Sequence, residues 1–547
     1  MARKVLIVGG VAGGASAAAR LRRLDEAAQI IMFERGQHIS FANCGLPYYI
    51  GGTITHREEL LLQTPESFKQ RFNVDVRVGS EVVGINRDKK EVEVVEPASN
   101  RHYVEKYDQL VLSPGAEPVR PAIAGIDSDK VFTLRNLADM DRIVEFIGAN
   151  NPRHALVVGA GYIGLEMAEN LRARGLSVEM VEMFDQVMPG LDKEMAWFLQ
   201  RHLIEHGVAL RLGDGVRSIQ QEGSSLEVTL RSGNKLRCDF AILAAGVRPE
   251  VKLAKDGGLE IGARGGIKVN EYLQTSDPDI YAIGDAVEVR DFVLGGAALI
   301  PLAGPANKQG RMVADNICGR KHRYSGTQGT AILRLFDLTA AMTGASEKAL
   351  AKTNVEYEKV YLHPANHAGY YPGAELMHIK LLFRKPDGRI LGAQIVGRHG
   401  VDKRIDVLAV AIRAGMSVYD LQELELAYAP PYGSAKDPIN MAGYVAGNIL
   451  DGTLGVKHFS DLEEDDFVLD VRTPGEFARG SVPNAKNVPL GAIRSRLDEL
   501  PRDRTIHAYC GVGLRSYIAC RILTQNGFDV RNLPGGYTTY QTVTKAT

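Results

Sequence analysis

Lys4-Val5-Leu6-Ile7-Val8-Gly9-Gly10-Val11-Ala12-Gly13-Gly14 and Ala155-Leu156-Val157-Val158-Gly159-Ala160-Gly161-Tyr162-Ile163-Gly164 are two versions of one pattern. In each, an apolar run reads as a buried strand, glycines follow at once, and a helical stretch begins. The first helix is expected to run through Arg23 and the second to Arg174. A further strand closes each unit: Ile30–Phe33, ending at Glu34, and Val178–Val181, ending at Glu182. Two such βαβ units predict an α/β chain with two Rossmann-like dinucleotide-binding domains. A glycine turn lets backbone N–H groups reach a pyrophosphate, and the helix N-terminus stabilises its charge. In the first cradle the contacts fall to Gly9, Val11, Ala12 and Gly14, with Val11 where a middle glycine is expected. The second, with Gly159, Gly161, Ile163 and Gly164, has all three glycines. Glu34 and Glu182 are placed to accept hydrogen bonds from a ribose diol. An acid there repels a 2′-phosphate, and Met183, Phe184 and Asp185 follow Glu182 with no arginine among them. The second site is therefore expected to prefer NADH over NADPH.

Composition narrows what such a chain does. Its 547 residues carry a formal net charge of −1, with 45% hydrophobic and 24% charged residues. No global field favours nucleic acid or an anionic membrane, so any anion site is local. No apolar run reaches the ~18 residues that a membrane span needs. The N-terminus enters a strand without a separate apolar segment and cleavage site, which argues against secretion. The five cysteines, Cys44, Cys238, Cys318, Cys510 and Cys520, are too widely spaced for a disulfide framework. A reducing cytoplasm fits them best, and no metal-ligand spacing is read. Cys44, in Ser40-Phe41-Ala42-Asn43-Cys44-Gly45-Leu46-Pro47, has no second cysteine nearby with which to form an internal redox disulfide. Its disulfide partner is then expected to be a small molecule. The glycine-rich run from Gly447 to Gly455 reads as a linker before a small C-terminal α/β domain.

Two dinucleotide units imply two dinucleotides, and a further motif suggests that one is a flavin. Thr275-Ser276-Asp277-Pro278-Asp279-Ile280-Tyr281-Ala282-Ile283-Gly284-Asp285-Ala286 resembles the second FAD motif of the two-dinucleotide flavoprotein disulfide reductases. The resemblance implies that Asp285 binds the ribityl chain of FAD. Leu112–Ala116 and Leu243–Pro249, the latter containing Gly246, resemble that family's crossovers between its FAD and NADH domains. Within the family, Ser40–Pro47 resembles the coenzyme A disulfide reductases, which use one cysteine that pairs with a CoA thiol. Cys44 maps to it, with Ser40 and Asn43 expected to hydrogen-bond the sulfur or the flavin. His367–Gly373 and Ala427–Tyr432 match the family's dimerisation-domain motifs. By resemblance, Tyr370 and Tyr428 reach the partner subunit's active site in a homodimer, where a phenol can protonate a thiolate. Lys436, Asp437 and Asn440 read as structural. A CoA substrate carries phosphates and needs cations near the thiol. Among Arg20, Arg22, Arg23, Lys69 and Arg71, the residues chosen by placement are Arg22 and Arg71.

Residues 457–547 resemble a single rhodanese domain, through Leu469–Phe477, Gly480–Ala485 and the loop Cys510-Gly511-Val512-Gly513-Leu514-Arg515-Ser516. A short glycine-bearing loop entering a helix aims several N–H groups at one point, and Arg515 adds charge. Such a cradle lowers a thiol pKa and can hold a persulfide. A phosphatase loop is the rival, but it usually has one residue more between Cys and Arg. Cys520, Cys238 and Cys318 read as structural. The expected organisation is FAD-binding over 1–112 and 247–325, NADH-binding over 113–246, an α+β dimerisation domain over 326–446, a linker over 447–456, and the rhodanese domain. The expected activity is reduction of CoA persulfide, polysulfide or CoA disulfide by NADH through FAD and Cys44, with Cys510 handling sulfane sulfur. CoA itself is then substrate or bound cofactor. An NADH oxidase or peroxidase cycling Cys44 through sulfenic acid is one alternative. Ala12 stands where those enzymes often carry histidine, which weighs against it. A non-redox sulfur carrier or sensor is the other.

Overall fold

The strand Lys4–Val8 lies at the centre of a five-stranded parallel sheet. Gln109–Leu112 and Ile280–Ala282 lie to one side, Gln29–Glu34 and Asp75–Val78 to the other. Its Val5, Leu6 and Ile7 are fully buried, as an unbroken apolar run in a sheet covered on both faces should be. The structure, a computed structural model, describes residues 2–545. Met1, Ala546 and Thr547, the outermost residues of the first and last expected domains, lie outside the described residues.

The chain divides into two units, Met1–Met183 with Gly213–Gly329, and Phe184–Leu212 with Thr330–Thr547. The first holds both predicted cradles. His154–Val158 pairs in parallel with Ser177–Val181 on one side and Phe240–Leu243 on the other. The two expected crossovers end in strands that pair with each other, Ala116–Pro118 against Val247–Pro249.

The second unit contains a five-stranded antiparallel sheet, in the order Ala331–Leu335, Leu338–Gly344, Ile390–Gly397, His378–Arg384 and Tyr357–Leu362. It also contains a four-stranded parallel sheet, in the order Lys486–Asn487, Phe467–Asp470, Ile506–Tyr509 and Val530–Asn532. Both match the expected α+β and C-terminal α/β domains.

Phe184–Leu212 falls in the second of the two units. A buried ion cluster holds it there: Lys380 Nζ lies 2.8 Å from Asp192, 2.5 Å from Glu194 and 2.6 Å from Glu347. Lys380 has no exposed surface, so removing it would strand three carboxylates at a cost of about 3–5 kcal/mol. One boundary differs from the sequence reading, at the linker. The helix Pro438–Leu450 continues through Gly447 to Leu450. Its glycines serve packing: a Cβ at Gly443 would lie 2.7 Å from Val418 O, and one at Gly447 would lie 2.3 Å from Gln422 Nε2. The connection is shorter than expected, because Val456 already bridges Asn532. Asp437 accepts a hydrogen bond from Ile439 N–H at the start of this helix and pairs with buried Arg404 at 2.8 Å. Asn440 donates to Leu421 O and Leu424 O. Both are structural, as the sequence suggests.

Candidate active sites

The first cradle joins Lys4–Val8 to the helix Ala12–Leu24, and the second joins His154–Val158 to the helix Tyr162–Ala173. Neither helix has a side-chain cap on its N-terminal N–H groups. Those donors stay directed at a ligand. The glycines are required by close approach: a Cβ at Gly14 would lie 1.9 Å from Gly9 O, and one at Gly164 would lie 2.0 Å from Gly159 O. At Gly161 a Cβ would meet nothing, so the turn keeps open space where the chain enters the helix. Val11 and Gly161 are the two N-cap residues, and Ala12 and Ile163 lie in the first turns. Glu34 accepts from Gly10 N–H at 2.9 Å and Gly36 N–H at 2.8 Å, and Glu182 accepts from Ala160 N–H at 2.7 Å. Each acid is thus held at the end of its strand beside its own glycine turn. The residues present fit two dinucleotides.

Asp285 sits in the short turn Gly284–Ala286, after the strand Ile280–Ala282. Gln309 Oε1 anchors this turn by accepting from Gly284 N–H at 2.7 Å. Gln309 belongs to the helix Ala303–Ile317, which presses on the first cradle helix: a Cβ at Gly310 would lie 2.3 Å from Gly13 O. Burial raises the Asp285 carboxyl pKa, and Arg135 pulls it the other way. Gly246 takes φ +98° just before Val247–Pro249, a left-handed conformation that favours glycine.

The Cys44 loop hangs from the first cradle. Ser40 N–H donates to Gly10 O at 2.9 Å, and Ser40 itself takes φ +45°, which is strained for a residue with a side chain. Cys44 lies in the turn Asn43–Gly45 that leads into the helix Leu46–Gly51. Its side of the turn is exposed, and Asn43 is exposed beside it. Close surroundings nevertheless raise the thiol pKa, first by burial and then through Glu166 and Asp285. Glu166, on the second cradle helix, is a residue the sequence reading missed. Burial, with Glu169, pushes it up to about 7. A glutamate one helical turn past Tyr162 reads as a solvent-facing residue in sequence; only the fold places it by the thiol.

A groove of about 410 Å³ adjoins this loop, with Ser40, Gln63, Arg20, Arg23, Arg71 and Arg311 on its walls. Arg71 lies there as expected, its guanidinium 5.4 Å from the Phe72 ring. Arg22 does not. It is buried and spends its donors on Phe72 O, Asn73 O, Asp25 O and Glu26 O, tying down the ends of two helices. Its place in the groove is taken by Arg23, Arg311 and Arg20, of which Arg20 also pairs with Asp315 at 2.8 Å.

In the second unit Tyr370 and Tyr428 share a hydrogen bond between their hydroxyls, 2.9 Å apart. That bond raises the Tyr370 phenol pKa. Tyr370 is 75% exposed and Tyr428 48%, and Tyr428 borders a groove of about 450 Å³ with His367, His399, Lys403 and Tyr432.

Cys510 ends the strand Ile506–Tyr509 and is fully buried. Its Sγ accepts from Gly513 N–H at 3.1 Å, and the Ser516 hydroxyl stands 3.6 Å away. Gly513 takes φ +108° at the start of the helix Leu514–Gln525. Arg515 is clamped by Glu476 through two hydrogen bonds of 2.8 and 2.6 Å, and this holds the Glu476 carboxyl well below its usual range. The pairing, which the sequence reading did not foresee, sets a carboxylate beside the expected cation. Cys238 and Cys520 are buried in hydrophobic clusters and pushed up to about 12 by burial, as structural thiols should be.

Residues 3–310 match the family model described as pyridine nucleotide-disulphide oxidoreductase. Residues 330–437 match that family's dimerisation domain, and 456–542 the rhodanese-like domain. The coenzyme A disulfide reductase of Staphylococcus haemolyticus is 38% identical over 448 residues, covering 82% of this chain and 100% of that protein. The crystal structure of reduced Bacillus anthracis CoADR-RHD is 52% identical, with a TM-score of 0.98 over 100% of this chain and 99% of that one. An NAD-dependent persulfide reductase from A. fulgidus is 38% identical, with a TM-score of 0.92 over 98% of this chain and 100% of its own. Among the described residues no helix is long and apolar enough to cross a membrane.

Proposed function

Because the chain belongs to the pyridine nucleotide-disulphide oxidoreductase family, we propose that it reduces CoA persulfide, polysulfide or CoA disulfide with NADH, through Cys44. The observation that carries this reading is the single thiol of the Cys44 loop beside a groove walled by Arg23, Arg71 and Arg311. A CoA thiol needs such cations for its phosphates and needs one protein cysteine to meet it. Cys44 thiolate attacks the CoA sulfur of a CoA persulfide, forming a mixed disulfide and expelling hydrosulfide. With CoA disulfide the group expelled is a CoA thiolate. FAD and NADH, when bound, would supply the electron pair that splits the mixed disulfide into the Cys44 thiolate and a CoA thiolate that departs. Ser40 and Asn43 position the loop, and Glu166, near neutrality in its pKa, is placed to hold or release a proton beside the sulfur. Glu182 favours NADH over NADPH through its place beside the second glycine turn.

Cys510 thiolate takes a sulfane sulfur from polysulfide, which departs one sulfur shorter, and the persulfide so formed passes its outer sulfur to a CoA thiolate. This makes CoA persulfide and returns the Cys510 thiolate, with no net electron transfer. Tyr370 and Tyr428, exposed and hydrogen-bonded to each other, are offered to a second copy of the chain, where a phenol hydrogen-bonds the departing sulfur.

Anaerobic stopped-flow tests the division of labour. NADH-reduced protein should be reoxidised much faster by CoA persulfide than by CoA disulfide. Cys44→Ser should lose about 10³-fold or more with both. Cys510→Ser should lose turnover with polysulfide. Equal rates with the two CoA substrates, or undiminished polysulfide turnover in Cys510→Ser, would overturn the relay.

A further inference from the structure

The helix Gly536–Lys545 and the glycine before it touch two parts of the second unit at once. On one side they hold the Cys510 loop. Tyr537 N–H donates to Cys510 O at 2.7 Å, and Thr538 N–H donates to Gly511 O at 3.1 Å. The Thr538 hydroxyl donates to the same Gly511 carbonyl at 3.1 Å. Gly536 is pressed so close that a Cβ there would lie 2.3 Å from Cys510 O. On the other side they meet the five-stranded antiparallel sheet. The Thr539 hydroxyl shares a hydrogen bond of 2.9 Å with Nε2 of His363, just past the strand Tyr357–Leu362. A Cβ at Gly535 would lie 1.9 Å from Thr539 Oγ1, 2.9 Å from Tyr361 Cβ and 3.0 Å from His363 Nε2. Gly535 and Gly536 take φ +71° and +61°, so the turn that wedges between sheet and loop is open only to glycine.

The sheet side of the wedge is fixed. His363 Nδ1 lies 2.9 Å from His378 Nδ1, and the His378 ring stacks on Phe198 at 3.8 Å between centroids, with 10° between planes. Burial lowers the pKa of both imidazoles, that of His378 to about 4, so both are neutral near pH 7. A neutral imidazole carries one N–H, so one ring donates to the other and the His363 tautomer is tied to both its neighbours. His363 and Thr539 are both buried, which leaves no water to replace the bond between them. A second contact holds the same domain to the same strand: His458 Nε2 lies 2.9 Å from Glu358 Oε1. Docking therefore does not depend on Thr539 alone. Apolar packing would serve docking as well, whereas a buried directional bond fixes how the helix is turned about its axis.

We propose that His363 and Thr539 are positioning residues for Cys510, so that the sheet of the dimerisation domain sets the geometry of the sulfur cradle through the turn at Gly535 and Gly536. The inference rests on Cys510 as the thiol that takes up sulfane sulfur. The carbonyls of Cys510 and Gly511 are held by Tyr537 and Thr538, within two residues of Thr539. A helix freed to turn would let those carbonyls shift, and with them the Gly513 N–H that now meets Sγ at 3.1 Å. Reaction geometry tolerates little such displacement. The cradle is thus completed by a domain other than its own.

The test uses the full-length, flavin-loaded protein and reads sulfur transfer from thiosulfate to cyanide, with NADH-dependent reduction of CoA disulfide as the reference. Thr539→Val keeps the shape and removes the hydroxyl, and Thr539→Ser keeps the hydroxyl and removes a methyl. Thr539→Val should lower kcat for sulfur transfer about 10-fold, with CoA disulfide reduction unchanged. Thr539→Ser should hold kcat within about twofold, although the lost methyl lowers its melting temperature. His363→Leu should lose as much as Thr539→Val, and the double variant no more than either alone, as for one shared bond. Full transfer in Cys510→Ser would remove the reading and the inference together. Where Cys510→Ser abolishes transfer, three results would overturn the inference and leave the reading standing. They are an unchanged kcat in Thr539→Val, a loss in Thr539→Ser as large as that in Thr539→Val, and additive losses in the double variant.

Discussion

Cys44 and Cys510 sit in opposite electrostatic settings. Around Cys510 the chain supplies donors: the Gly513 N–H at 3.1 Å, the Ser516 hydroxyl at 3.6 Å, and Arg515 on the same loop. Around Cys44 it supplies acids, with burial, Glu166 and Asp285 all raising the thiol pKa. A thiol that stores sulfur between partners needs its anion cradle built into the fold. A thiol that works against a bound flavin and a CoA chain can leave that stabilisation to the ligands. Under the proposed roles, the burial of the two thiols differs in the same sense. Cys510 is sealed at a strand end, and Cys44 lies on an exposed turn held by a strained Ser40.

The largest way to break the comparison lies at Cys510. Arg515→Ala removes the cation that neutralises Glu476 and leaves that carboxylate facing the loop. Sulfur transfer from thiosulfate to cyanide should fall by about 100-fold. NADH-dependent reduction of CoA disulfide, proposed to run through Cys44, provides the internal reference. An Arg515→Ala protein with full sulfur transfer would mean that the backbone donors alone make the cradle.

A smaller effect sharpens the Cys44 side. Arg71→Ala should raise the KM for CoA disulfide about 10-fold, the worth of one charged contact to phosphate, with stability unchanged. Arg22→Ala should do the reverse. It removes donors from four carbonyls in a buried position, costing about 2–3 kcal/mol of stability while KM holds. Thermal melts and steady-state kinetics on the two variants separate the roles. A raised KM in Arg22→Ala at unchanged stability would restore Arg22 to the groove.

The contrast between these arginines marks how far sequence reading reaches. The two cradles were legible because close backbone approach allows only glycine at Gly14 and Gly164, and because Glu34 and Glu182 follow at a similar distance, about 20 residues on, in the βαβ unit. The two candidate thiols stood out because each lies in a turn-rich loop. What stayed hidden depends on long-range packing. Arg22 looks like one more residue of a basic helix face until the chain past Phe72 folds back over it. Gly447 looks like a linker glycine until its helix meets Gln422. Glu476 and Arg515, far apart in sequence, become a pair only when the strands Phe467–Asp470 and Ile506–Tyr509 lie side by side.

The finest test concerns Glu166. Its pKa is pushed up to about 7, so it is mostly neutral at pH 6 and charged at pH 8. Only the charged form raises the pKa of Cys44. In Glu166→Gln that charge is gone, and the thiol should titrate at lower pH. Alkylation of Cys44 by iodoacetamide, followed by peptide mass spectrometry in reduced and desalted protein, should be severalfold faster than in the parent at pH 8. The two rates should converge at pH 6. Cys510 in the same samples should react alike in both proteins. Stability supplies an independent sign. A carboxyl whose pKa is higher folded than unfolded favours folding fully below its unfolded value, and that contribution is lost as pH rises through about 7. Glu166→Gln should therefore melt higher than the parent at pH 8, with the gap closing toward pH 5. Identical alkylation rates at every pH would show that Glu166 does not act on the thiol, and the acid-flanked description of Cys44 would then rest on Asp285 alone.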